Sequence, residues 1–193
     1  MKKKIIITGG LGYIGTELCK IYSGVSWHHE ITVIDNRFIS ERVNQLRNWN
    51  INFVQGDILD RDLIKKYCED ADIVHHLAGI TDVPRTKTES SNIQDKKIKE
   101  IGEKGTQNIL DSISDQCKII FPSTHVVYEG IDKVIKNIEE NEPTKPVLSY
   151  STSKAVNEDQ LKKSGKNYVI LRLGSVYGYS TDSMRIDIMP NLF

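Results

Sequence analysis

An α/β fold built on a doubly wound parallel sheet is predicted by three features of this 193-residue chain. Short apolar runs alternate with longer amphipathic segments, the pattern of strands separated by helices. The first run, within Lys4–Thr8, is β-branched and unbroken, as expected of a strand covered on both faces. A glycine-rich turn follows it at once and opens a helical pattern, and such junctions are where these sheets take ligands.

The elements follow in order. The strand Lys4–Thr8 leads into a helix over Tyr13–Ser23. Further strands are expected at Glu30–Ile34, Asn52–Gln55, Asp72–Leu77, Lys118–Phe121 and Tyr168–Leu173, each a short apolar run. Helices are expected at Asp60–Cys68, Gln94–Ile113 and Tyr150–Lys163 from their mixed apolar and polar spacing. The predicted strand order is 3-2-1-4-5-6, with a crevice where the order reverses. Two long loops, Thr81–Ser91 and Glu129–Ser149, stand out, since long loops in compact domains are often functional. Residues 1–178 read as one dinucleotide-binding domain of the Rossmann type. Residues 179–193, ending in an apolar IDIMPNLF, read as the start of a substrate-binding region cut from a longer chain.

Composition excludes several classes. Apolar residues make up 38%, which suits a folded core, and 26 basic residues balance 26 acidic ones. A net charge of zero gives no general attraction to nucleic acid or to an anionic membrane. Cys19, Cys68 and Cys117 are scattered, with no CxxC pair and no Cys/His cluster, so neither a metal site nor a disulfide framework is expected. They read as thiols of a reducing, cytoplasmic compartment. Lys2, Lys3 and Lys4 precede an apolar run too short for a signal peptide. No stretch approaches the roughly 20 apolar residues of a membrane span.

The glycine turn is Thr8-Gly9-Gly10-Leu11-Gly12-Tyr13-Ile14-Gly15. Gly9 is expected to make the tight turn, Gly12 to let a pyrophosphate approach the backbone, and Gly15 to let the helix pack on the sheet. The helix N-terminus then offers free N–H groups and a partial positive charge to the phosphates. Tyr13 and Ile14 lie in this first turn and are assigned to the cofactor with the glycines. Asp35 ends the second strand about 20 residues on, where a carboxylate accepts hydrogen bonds from the adenine ribose and repels a 2′-phosphate. NAD is therefore favoured over NADP, although Arg37 is close enough to bind such a phosphate. Asn36 is grouped with Asp35. Asp57 either reaches the adenine amine or serves the turn before the next helix, and Ile58 is grouped with it.

Several further segments occur in one order: His76-Leu77-Ala78-Gly79, Phe121-Pro122-Ser123-Thr124, Tyr150-Ser151-Thr152-Ser153-Lys154 and Arg172–Gly178. With the glycine turn they resemble the extended short-chain dehydrogenase/reductase family, in its NAD-dependent nucleotide-sugar epimerase/dehydratase group, over nearly the whole chain. Tyr150 and Lys154 are four apart and share one helix face. A tyrosine ordinarily titrates near pKa ~10; an adjacent ammonium favours the phenolate and lowers that value. Tyr150 can then take a proton from a sugar hydroxyl while hydride leaves the carbon for nicotinamide. The resemblance gives Lys154 the nicotinamide ribose, and it gives Thr124 the reacting oxygen, with Ser123 as the neighbouring candidate. It brings Leu77, Ala78 and Gly79 against the cofactor and places Val83, Ser123, Thr124 and Ser175 on the substrate side. His75, His76, His28, His29 and His125 are read as strand or loop residues without a chemical role.

The sequence departs from the resemblance in three places. The 4,6-dehydratases carry an acidic pair directly after the threonine, whereas this chain has His125 and Val126, which disfavours dehydration. Gly102 stands where the long helix commonly has asparagine, and with Gly105 it weakens that helix by about 1 kcal/mol per glycine, so a kink or close packing is expected. Ser175 replaces the asparagine of the last-strand motif.

The expected activity is an NAD-dependent epimerase or reductase acting on a nucleotide sugar through a keto intermediate. The resemblance implies a homodimer formed through the long helix and the YxxxK helix. The alternatives are a non-catalytic dinucleotide-binding sensor of the same fold and a cofactor-binding fragment without activity of its own.

Overall fold

The computed structural model describes residues 2–81 and 91–178. They form a six-stranded sheet in the order β3-β2-β1-β4-β5-β6. The strands are β1 Lys4–Thr8, β2 Glu30–Asp35, β3 Asn52–Gln55, β4 Ile73–His76, β5 Lys118–Thr124 and β6 Asn167–Leu173. Every pairing is parallel. The predicted order is therefore the observed one, and β1 lies between β2 and β4 at the point where the winding reverses.

Alternate residues of β1 serve opposite faces, which explains its unbroken apolar run. On one face α1 (Tyr13–Ser23) and α2 (Ser40–Asn48) bring Cys19, Val43 and Leu46 against Ile5, Ile7, Ile31 and Val33. On the other, α3 (Arg61–Cys68), α5 (Gly105–Ser112) and α6 (Ser149–Lys163) bring Ile64, Ile109, Leu110 and Leu161 against Ile6, Ile34, Val74, Ile119 and Phe121. Helix α2 was not expected. Only Val43 and Leu46 of its nine residues are buried, too thin an apolar stripe to register as periodicity.

The helix predicted over 94–113 is interrupted. α4 (Asn92–Lys99), capped by the Ser91 hydroxyl, passes into a π-helical turn at Glu100–Lys104 before α5 begins. The two glycines explain the change. A Cβ on Gly102 would stand 2.4 Å from the Ser153 hydroxyl, and one on Gly105 would stand 2.3 Å from the Ile58 methyl. The turn also frees two carbonyls for α6. Asn157 donates to the Gly102 carbonyl at 3.1 Å, and Gln160 donates to that of Glu103 at 3.0 Å. Besides Leu161, the side chains that α6 buries are Ser151, Ser153, Asn157 and Glu158. This helix is thus seated by hydrogen bonds as much as by apolar packing.

The strand histidines are structural groups. His76 lies in the core between the hydroxyls of Thr8 (2.9 Å) and Thr106 (3.0 Å). His75 faces the other layer and meets the Tyr22 hydroxyl at 2.8 Å. Burial holds His75 down at about 4; burial, reinforced by the Lys154 ammonium, holds His76 down at about 3. Both are neutral in the folded state at pH 7, whereas the unfolded chain protonates them below about 6.5. Their contribution to stability is therefore complete above pH 6.5 and is lost as pH falls toward 4 and then 3. Urea melts are expected to show stability falling by about 2–3 kcal/mol between pH 6.5 and 5, before most carboxylates titrate. A flat profile across that window would contradict the placement of the two rings. The three cysteines are free and buried, with burial raising Cys19 and Cys68 to about 12 and Cys117 to about 11, so they are inert core thiols.

Candidate active site

A cleft of about 890 Å³ runs across the carboxyl edge of the sheet. It spans the reversal between β1 and β4, where open α/β sheets bind ligands. The predicted positions Gly9, Gly12, Tyr13, Ile14, Gly15, Asp35, Asn36, Asp57, Ile58, Leu77, Ala78, Gly79, Ser123, Thr124, Tyr150, Lys154 and Ser175 all border it. Val83 and the segment 179–193 lie outside the described residues.

The first wall is the glycine turn. Gly9 has φ +70°, and a Cβ there would stand 2.7 Å from the Ala78 amide nitrogen. Only glycine lets the turns after β1 and β4 approach so closely. Gly15 differs from expectation: its absent Cβ would strike the Gly9 carbonyl at 2.5 Å, so it packs the helix on the turn itself. A Cβ on Gly12 would stand a tight 3.2 Å from the Gly9 carbonyl, and Gly12 itself borders the cleft. Helix α1 starts at Gly12 with no side-chain cap and no acidic residue in its first turn. Its N-terminal N–H groups and positive dipole end are thus available to an anion. The residues fit a dinucleotide diphosphate.

Asp35, 5% exposed, is fixed at the end of β2. Its carboxylate accepts from the Leu11 amide at 3.1 Å and from the Arg37 amide at 3.0 Å. The Arg37 guanidinium lies on the same carboxylate, with Nε at 3.2 Å. Arg37 is therefore engaged with Asp35. Of the two roles the sequence left open for Asp57, the structure shows the turn. It accepts from the Leu59 backbone amide at 2.9 Å, and from the Asn36 side-chain amide at 3.1 Å, and it borders the cleft. The cap of α3 is Asp60, which accepts from the Leu63 amide at 3.1 Å. Ile58 follows Asp57 on the cleft border. Its side chain is buried against Gly105 in the core.

The reactive end is formed by β5, α6 and the segment after β6. β5 runs to Thr124, three residues beyond the prediction, so Ser123 and Thr124 are its last two residues. They point to different partners. The Ser123 hydroxyl donates to Glu158 at 2.6 Å. Ser123 borders the cleft with that proton committed to the helix, so toward a ligand its hydroxyl can only accept. The Thr124 hydroxyl accepts from the Val126 amide at 3.3 Å, which leaves its proton free to be donated elsewhere. Tyr150 and Lys154 come from the first two turns of α6. The Lys154 ammonium lies 5.9 Å from the centre of the Tyr150 ring and 4.4 Å from that of Phe121, and it donates to the Pro122 carbonyl at 2.8 Å. Burial lowers Lys154 to about 8, so it keeps its charge at neutral pH.

Sequence reasoning missed the group that joins these parts. Glu158, 1% exposed, lies one turn beyond Lys154 on the row of α6 that holds Tyr150 and Lys154. It takes a forked pair of bonds from Arg172 of β6, at 2.9 and 2.6 Å, besides the Ser123 hydroxyl. One carboxylate thus fastens α6 to the ends of β5 and β6. Arg42, Gln94 and Lys97 also border the cleft and were not anticipated, because nothing in their local spacing shows which way a helix faces.

Residues 5–191 match the model of the NAD dependent epimerase/dehydratase family. A putative UDP-glucose 4-epimerase of Methanocaldococcus jannaschii is 31% identical over 185 residues, covering 92% of this chain and 57% of that protein. A dTDP-D-glucose 4,6-dehydratase of Dictyostelium discoideum is 30% identical over 197 residues, covering 91% of this chain and 44% of that protein. The chain thus spans about half the length of the curated relatives it matches. Among solved structures, the UDP-glucuronic acid 4-epimerase of Bacillus cereus, with NAD and UDP-4-deoxy-4-fluoro-glucuronic acid, superposes with a TM-score of 0.79 at 26% identity, covering 99% of this chain and 61% of that one. The UDP-glucose 4-epimerase of Brucella ovis in complex with NAD gives 0.73 at 27% identity, over 93% and 54%. With the glycine turn, Asp35 and the Tyr150/Lys154 row on one cleft, this chain belongs to the NAD dependent epimerase/dehydratase family.

Proposed function

We propose that this chain binds NAD along the carboxyl edge of its sheet and that the protein epimerises or reduces a nucleotide sugar through a keto intermediate. The observation that carries the reading is the meeting of Tyr150, Lys154 and Thr124 at one end of the cleft, with the glycine turn and Asp35 at the other. Gly12 and the first turn of α1 hold the diphosphate, and Asp35 takes the adenine ribose hydroxyls. Bound NAD supplies a hydride acceptor, and on return a donor, at its nicotinamide ring. Thr124 donates its free proton to the reacting sugar oxygen and so orients it. Tyr150 removes the hydroxyl proton as the carbon is oxidised and returns it on reduction. The Lys154 charge beside the ring favours the phenolate that this requires.

Dehydration remains the less favoured reaction. His125 and Val126 follow Thr124 in the turn after β5, and neither is a carboxylate. The homodimer belongs to the same reading, supported by Ile93, which stands 83% exposed on α4. The reducing compartment is supported by the three free thiols.

The test is incubation of the purified full-length protein with NAD and a panel of UDP-, dTDP- and CDP-sugars, followed by proton NMR of the anomeric region. A new epimeric or reduced sugar is expected. Protein that binds NAD yet leaves every sugar unchanged would overturn the enzymatic reading, and a 4-keto-6-deoxy product would overturn the preference against dehydration.

A further inference from the structure

Tyr150 is the second residue of α6, in the turn of a helix most prone to fray. Leu148, the N-cap residue, offers no side-chain bond, and the first turn holds no acidic residue. Locally, the Ser151 hydroxyl lies 2.9 Å from the Leu148 carbonyl, a contact that serves no backbone N–H of the turn. The missing cap comes from 19 residues upstream of Leu148. Glu129 Oε1 accepts from the Val147 amide at 2.8 Å, from the Leu148 amide at 2.7 Å and from the Ser151 hydroxyl. The Leu148 amide is the N-cap donor that the glutamate of a capping box normally reaches back to, so Glu129 supplies that half of the box from outside the helix.

The path back from Glu129 leads to the other reactive group. Thr124 caps the 3₁₀ turn His125–Tyr128, and Glu129 follows it directly. The two ends of the long loop are also pinned together. Lys145 donates from its amide to the Val127 carbonyl at 2.8 Å, and Gly130 donates to that of Lys145 at 2.9 Å. A Cβ on Gly130 would stand 2.5 Å from the Lys145 carbonyl oxygen, so the crossing needs glycine. A short, bonded path therefore runs from Thr124 through the 3₁₀ turn to Glu129 and on to the turn that bears Tyr150.

We propose that Glu129 is a positioning residue: it caps α6 from across the loop and sets Tyr150 at a fixed distance from Thr124. It lies outside the cleft lining. The kinetic part of this proposal rests on the function given above.

The test compares Glu129→Ala and Glu129→Gln in the full-length protein, with backbone hydrogen exchange over residues 147–151 and steady-state turnover as readouts. Removing the cap in Glu129→Ala is expected to speed exchange there by roughly 3- to 30-fold, the range that a lost cap gives. It should lower kcat by a similar factor and leave NAD affinity within about twofold, since the glycine turn is untouched. Glu129→Gln keeps an acceptor oxygen and is expected to recover most of the protection and most of kcat. Unchanged exchange in Glu129→Ala would overturn the cap. Faster exchange with wild-type kcat would overturn the positioning role, because a purely structural cap lowers stability alone. Glu129→Gln exchanging as fast as Glu129→Ala would also overturn it. If wild-type protein binds NAD and turns over no sugar, the proposed function fails, and the exchange measurements still decide whether Glu129 holds the Tyr150 turn.

Discussion

Replacing Tyr150 with phenylalanine is expected to lower turnover by about 10²–10⁴-fold, the usual worth of a positioned acid–base group. The ring and its place on α6 survive in that variant, and so does the Lys154 ammonium 5.9 Å from the ring centre. NAD affinity should stay within about tenfold, since at most one hydrogen bond is lost. The separation of the two effects is the informative part. Gly12, the first turn of α1 and Asp35 lie at the other end of the cleft and do not depend on the phenol. Steady-state kinetics together with NAD titration measures both quantities on one preparation. Near-normal turnover in Tyr150→Phe would remove Tyr150 from the chemistry. Loss of NAD binding in folded Tyr150→Phe would mean that the cleft is not divided as described.

The largest expected effect on stability is at Glu158. Glu158→Gln keeps the size of the side chain and removes its charge, leaving the Arg172 guanidinium, 13% exposed, without its ion-pair partner. Breaking a buried pair from one side costs about 3–5 kcal/mol. The urea midpoint should fall accordingly with an unchanged m-value, since the fold itself is retained. The double replacement Glu158→Gln with Arg172→Met is expected to recover part of the loss, because it removes the uncompensated charge as well. A single variant as stable as wild type would show that the pair fastens nothing. Turnover should fall with stability, since Ser123, Arg172 and α6 meet on this one carboxylate.

The glycine turn, Asp35 and the Tyr150/Lys154 row were legible because each is a local pattern with a local cause. A strand, a turn that needs positive φ at Gly9 and a helix start lie within a dozen residues, so spacing alone carries the geometry. The strand order was legible for a related reason: alternating elements with short connections leave few parallel arrangements. What sequence did not show is what depends on distant partners. Ser123 and Thr124 are neighbours with similar hydroxyls, and only the packing of α6 commits Ser123 to Glu158. Glu129 reads as a loop residue until the chain returns 18 residues later to donate to it. The π-helical turn arises where Gly102 meets Ser153, a contact between segments 51 residues apart, which helix propensity signals only as weakness. Helix α2, with its two buried side chains, is formed by the sheet beneath it more than by its own pattern.

The most direct measurement is a calorimetric titration of the folded protein with NAD and, separately, with NADP. A diphosphate seated over the start of α1 and a ribose held by Asp35 predict saturable uptake of one NAD per chain, with NADP bound more weakly. Well-folded protein that takes up neither dinucleotide would contradict the account at its base.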